Sequence, residues 1–111
     1  MPTSSPADLA AINHKIVAEG EVLPAVILKD GSRVQTGTVA TLLHNITLYN
    51  AGERGRVEAE LAAAIPTLFK VGLFDLFPPV EWIAGDNPGR RHVGELALAH
   101  RNEADRRNDG A

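Results

Sequence analysis

Apolar residues recur at three- and four-residue steps along most of this chain. Leu9, Ile12 and Ile16, with Val17 beside them, predict a helix from about Pro6 to Glu19. Ser5 suits its N-cap, Pro6 its first position and Asp8 its first turn, and Gly20 suits its stop. The period then changes. Ala25 to Lys29 is a β-rich run, Asp30-Gly31 reads as a two-residue turn with positive φ at both central positions, and Ser32 to Thr36 returns. A lone hairpin is marginal in water, so it must lie on helices or pair with a strand from a second copy.

Helical spacing resumes from Thr38 to Asn50, with Thr36 or Thr38 to cap it and Gly52 to end it. Its main face carries Val39, Leu42, Leu43, Ile46 and Tyr49, and Ala40, His44 and Leu48 fall opposite. A helix apolar on two faces belongs in the middle of a bundle or against a partner subunit. Val57, Leu61, Ala64, Ile65 and Leu68 make the next stripe, in a helix starting near Glu53–Arg56. Pro66 disfavours helical geometry at Ile65, which predicts a kink or break there and one more short helix ending near Gly72. The segment 66–77 holds all three phenylalanines, Phe69, Phe74 and Phe77, and reads as core.

Pro78-Pro79 opens a short turn of helix with the sole tryptophan, Trp82. Asp86 or Asn87 can cap a last helix, with Pro88 at its first position. Val93, Leu96, Ala97 and His100 share one side of it, and the polar residues beyond about Arg101 predict a frayed end. The whole reads as a mostly α protein with one β-hairpin, a small α+β fold. About five helices surround an aromatic-rich centre.

Composition bounds this picture. The chain has 111 residues, 44% hydrophobic and 23% charged, which suits one domain over 1–111. It has no cysteine, which rules out disulfides, thiolate nucleophiles and cysteine-held metal and suits a reducing cytoplasm. A net charge of −3 argues against nucleic acid as a partner. No secretory pattern opens the chain, and no apolar stretch approaches the roughly 20 residues that cross a bilayer, so no membrane partner is expected.

Candidate chemistry is sparse. "AGDNPGRRHVGE", residues 84–95, joins a helix start to two arginines and a histidine. Free N–H groups and the helix dipole favour an anion there, and Asn87, Arg90, Arg91 and His92 would hold a phosphate or carboxylate. The plainer reading is a cap, a proline at the first position and solvated arginines. His92, Glu95 and His100 share a side of that helix, but with no further ligand the spacing does not make a metal site, and no metal or cofactor is expected. His44 and Tyr49 are acid–base candidates, although the helix does not make them converge.

The aromatic segment Phe69–Trp82 serves either as core or as a recognition surface. For an interface, Ala40, His44 and Leu48 on the helix and Val26 and Val34 on the hairpin are the candidates. The resulting expectation is a non-catalytic binding and assembly module whose partner is a second copy. The alternative is a small enzyme or binding protein for an anionic metabolite.

Overall fold

A computed structural model describes residues 6–18 and 25–109. The expected cap Ser5, and Glu19 and Gly20 at the expected helix end, lie outside the described residues. The order is α1 (Pro6–Asn13), a 3₁₀ turn (His14–Ile16), β1 (Ala25–Ile27), β2 (Arg33–Gln35), α2 (Thr38–Asn50), α3 (Arg56–Lys70), α4 (Leu73–Leu76), α5 (Pro79–Ala84) and α6 (Pro88–Asp109). The fold is mostly helical with one antiparallel hairpin, as the pattern predicts, with six α-helices among the described residues.

The core follows the apolar stripes. Val57, Leu61, Ala64, Ile65 and Leu68 of α3 are all buried, and they meet Leu42 and Ile46 of α2, Phe74, Trp82, and Val93 and Ala97 of α6. Phe69 and Phe74 pack with ring centroids 4.8 Å apart, and Phe74 meets Trp82 edge-on at 5.8 Å. Such pairs add stabilisation beyond their buried area. A smaller apolar contact lies apart from this cluster, where α1 rests on β2 with Leu9 and Val34 buried.

Five local expectations change. The helix α1 stops at Asn13 because the Asn13 side chain turns inward and donates to the Thr36 carbonyl and the Thr38 hydroxyl, at 3.0 and 3.1 Å. The hairpin turn is wider than two residues. Leu28 and Ser32 close it, Gly31 alone takes a positive φ (+87°), and the Asp30 carboxylate accepts from the Ser32 N–H at 2.9 Å. One left-handed glycine after a tight turn is the usual three-residue alternative.

Neither Thr36 nor Thr38 caps α2; Gly37 stands there with φ +87°, and the Thr38 hydroxyl instead donates to the Gln35 carbonyl. The helix α3 runs unbroken through Pro66. The carbonyl that loses its partner belongs to exposed Ala62, where water can take the bond. Finally, α6 continues to Asp109, well past Arg101, with Glu103, Ala104, Arg106 and Arg107 as good helix formers and a Glu103–Arg107 pair one turn apart.

Two glycines set the spacing of the bundle. A Cβ on Gly89 would lie 2.9 Å from the Ile46 side chain and carbonyl, and one on Gly94 would lie 2.8 Å from Ile83, Trp82 and the Pro79 carbonyl. The start of α6 therefore abuts α2, and its next turn abuts α5, at distances only glycine permits.

Candidate functional site: an apolar cleft between α2 and the α4–α5 corner

The site begins with a polar stripe on α2. Thr38, Thr41 and Asn45 are buried beside Leu42 and Ile46. Each needs a partner inside the protein, because an unpaired buried polar group is costly. Asn13 serves Thr38, and the Thr41 hydroxyl donates to the Gly37 carbonyl at 3.0 Å. Asn45 joins a charged cluster. Lys15 donates to the Asn45 side-chain oxygen and to Glu60, both at 2.6 Å; Asn45 donates to Glu60 at 3.1 Å; and Arg56 donates to Glu60 at 2.9 Å.

The Glu60 side chain is only 7% exposed. Burial alone would raise its pKa, but the bonds from Lys15, Arg56 and Asn45 outweigh burial and hold it below the usual carboxylate value.

Satisfying this stripe rolls α2. The face expected to be buried is displaced, and Val39 and Leu43 are 43% and 58% exposed. With Leu42 they line a cleft. Leu73 of α4, Phe77 just beyond it, Glu81 and Trp82 of α5 and Arg90 of α6 complete the lining. The cleft has a volume of about 280 Å³. The Trp82 indole N–H donates to the Phe77 carbonyl at 2.8 Å, which pins the corner between α4 and α5. Phe77, expected in the core, is 52% exposed; Leu76 of α4 and Val80 of α5, which do not line the cleft, are 77% and 57% exposed. Arg90 places its guanidinium 5.6 Å from the centre of the Trp82 ring. Among the described residues neither Glu81 nor Arg90 has an ion-pair partner.

The residues expected to hold an anion go separate ways. Asn87 caps α6, accepting from the Arg90 N–H at 3.0 Å and from Asn50 at 2.9 Å. Asn50 in turn accepts from the Gly89 N–H at 2.7 Å, so the free amides of this helix start are in use. Arg91 donates to the Gly85 carbonyl at the end of α5, and Arg90 turns to the cleft. His92 stacks on Tyr49, with ring centroids 4.8 Å apart, and its Nε2 is buried without a partner. Arg54 covers the Tyr49 ring at 3.6 Å.

His44 is exposed, and five helical positions from Tyr49 turn the two about 140° apart. The structure thus pairs Tyr49 with His92 rather than with His44. Of the interface candidates, Ala40 and His44 are exposed next to Val39 and Leu43, and Val26 is 41% exposed. Leu48 packs on the core and Val34 lies under α1, 5% exposed. Among the described residues no three histidine, aspartate or glutamate side chains are grouped to hold a metal, and no helix is long and apolar enough to cross a membrane.

Reading for apolar periodicity missed Val39 and Leu43 as surface residues. A signal was present: Thr38, Thr41 and Asn45 at steps of three and four form a polar stripe beside the apolar one.

The chain belongs to the family described as a domain of unknown function (DUF7709), which matches residues 7–101. No curated protein and no solved structure matches it.

Proposed function

We propose that this member of a family of unknown function is a binding and assembly module that works through the cleft between α2 and the α4–α5 corner. One observation carries this reading. Three large apolar side chains lining the cleft, Val39, Leu43 and Phe77, are 43% to 58% exposed. Monomers seldom leave large apolar patches in water without a use for them. A concave apolar site with a few polar groups at its wall is the usual form of a binding site, and Glu81 and Arg90 supply those groups here. The anionic-metabolite reading has less support, because Asn87, Arg90, Arg91 and His92 each engage a different part of the protein. The absence of cysteine favours a reducing compartment, and we place the protein in the cytoplasm on that ground.

The test uses Nile red, a neutral dye that brightens in apolar surroundings, with dilute protein. The folded chain should brighten it, Leu43→Glu should abolish the response, and Thr47→Glu, an exposed change outside the cleft on the same helix, should keep it. A response that survives Leu43→Glu, or no response from the folded wild type, defeats the reading.

A further inference from the structure

The turn between β1 and β2 carries a chemical hazard along with its geometry. Gly31 takes φ +87°, a conformation that L side chains rarely adopt, so the turn requires glycine there. The residue before it is Asp30, exposed at the tip. An aspartate followed by glycine is the pair most open to cyclisation, because no Cβ shields the attacking amide nitrogen. The Gly31 nitrogen bonds to the Asp30 Cγ, and the carboxyl hydroxyl leaves with the amide proton as water. Water then opens the cyclic imide at either carbonyl. One opening restores aspartate and the other gives isoaspartate, in which the backbone runs through the former side chain. Water is the only other reactant.

Two features of the folded turn oppose the first step. The attacking N–H is engaged: Gly31 donates to the Leu28 carbonyl at 2.9 Å, inside the closure that the Leu28 N–H makes with the Ser32 carbonyl at 2.8 Å. The carboxyl group is engaged as well. Asp30 Oδ1 accepts from the Ser32 hydroxyl at 2.5 Å and from the Ser32 N–H at 2.9 Å. Both bonds favour the ionised carboxylate, the form that does not cyclise. With a smaller pull from Lys70, they hold the Asp30 pKa below its ordinary value of 3.8. We propose that Asp30 is a latent isomerisation site and that Ser32 is its guard, holding the carboxylate out of reaction while Gly31 shapes the turn. What the guard protects is the pairing of Ala25 with Gln35, Val26 with Val34 and Ile27 with Arg33, because isoaspartate lengthens the backbone of the turn by a methylene. The same strand β2 carries Val34 beneath α1.

The chain carries its own comparator. Asp109-Gly110 is the same dipeptide, but Ala111 follows it where Ser32 follows Asp30-Gly31. The full chain is aged in warm, neutral buffer and digested with trypsin, with an unaged sample as background. Cleavage after Lys29 and Arg33 releases residues 30–33, and cleavage after Arg107 releases residues 108–111. Chromatography separates the aspartyl and isoaspartyl forms of each peptide, and electron-transfer fragmentation identifies them. In the folded wild type, isoaspartate should form at Asp109 on the order of tenfold faster than at Asp30, the ratio that one hydrogen bond to a charged group supplies. In concentrated urea the two sites should react at similar rates. Ser32→Ala should speed the reaction at Asp30 by about tenfold and leave Asp109 unchanged. Ser32→Thr keeps the hydroxyl and should keep the slow rate. Thermal melts of each variant confirm that it is folded.

Amide exchange at Gly31 separates a guard of the carboxylate from a mere fastener of the turn. Isomerisation that rises further than exchange in Ser32→Ala supports the guard. If both rise by the same factor, the serine acts only by keeping the turn closed, and its hold on the carboxylate is refuted. An Asp30 that ages as fast as Asp109 in the folded wild type, or one indifferent to Ser32→Ala, overturns the proposal. So does an Asp30 that stays slow in urea, because its protection then does not come from the fold.

Discussion

Replacing Gly94 with alanine sets two large effects against each other. In an open helix position the change should stabilise by about 1 kcal/mol, because glycine loses more backbone freedom on folding. Here the new Cβ would lie 2.8 Å from the Ile83 side chain, the Pro79 carbonyl oxygen and the Trp82 Cβ. Ile83 can rotate aside. The other two atoms are fixed to the backbone of α5, so the helix itself must move. Each contact is 0.6 Å short of the 3.4 Å at which ordinary contact begins. Moving α5 disturbs Trp82 against Phe74 and loosens α5 on buried Val93 and Ala97. Overpacking of this kind costs about 1–3 kcal/mol, and immovable partners put Gly94 at the upper end. The net expectation is a loss of about 2 kcal/mol, or about 10 °C in melting temperature for a domain of this size. Urea unfolding followed by Trp82 fluorescence measures it. Asn102→Ala, an exposed position on the same helix, reports propensity alone and should be neutral or slightly stabilising. If Gly94→Ala is as stable as the wild type or more so, the close approach of α5 to α6 is refuted.

Stability should fall with acid in a way that depends on Glu60. Its folded pKa lies below its ordinary value of 4.5, so ionised Glu60 stabilises the fold above that value, and the contribution is lost as pH falls through 4.5 towards the lowered value. In Glu60→Gln this part of the slope, read from urea midpoints between about pH 3 and pH 6, should disappear; an unchanged slope would show that the cluster carries no linkage. Asn50→Ala removes the acceptor of the Gly89 N–H and the donor to Asn87 in one step, and should cost about 1–3 kcal/mol. Amide exchange should quicken first at Gly89 and Arg90, and unchanged exchange there would sink the assignment of Asn50 as the outer lock of this helix start.

Local grammar is readable in the sequence. The Asn87-Pro88 start of α6 and the stripe from Val57 to Leu68 depend on neighbours within a turn or two, and both stand as expected. The rotation of α2 was not readable. It is decided by partners that the chain brings from 25 residues away, in the case of Asn13 and Thr38, and from 30 and 45 away, in the case of Lys15 with Asn45 and Glu60. No periodicity within α2 ranks a threonine above a valine for the interior until those partners are known. The cleft shares this origin, since it is lined by residues the polar contacts turned outward. The turn at Asp30-Gly31 and the passage of α3 through Pro66 depart from the local rules for a smaller reason. Each local rule has a second common outcome, and surface exposure around the loop and at Ala62 makes it cheap.

The contact that joins the N-terminal segment to the bundle has a dynamic consequence. Asn13 and Lys15 meet Thr38, Asn45 and Glu60, groups that water can solvate, and Leu9 and Val34 are the fully buried apolar residues of the seam. Detaching residues 6–18 would therefore uncover Thr38, Asn45 and Glu60 to water, and no residue of the segment belongs to the cluster from Leu42 to Ala97. The segment has the character of a foldon, able to open and close on its own while the rest stays native. Breathing of this molecule should start at that seam.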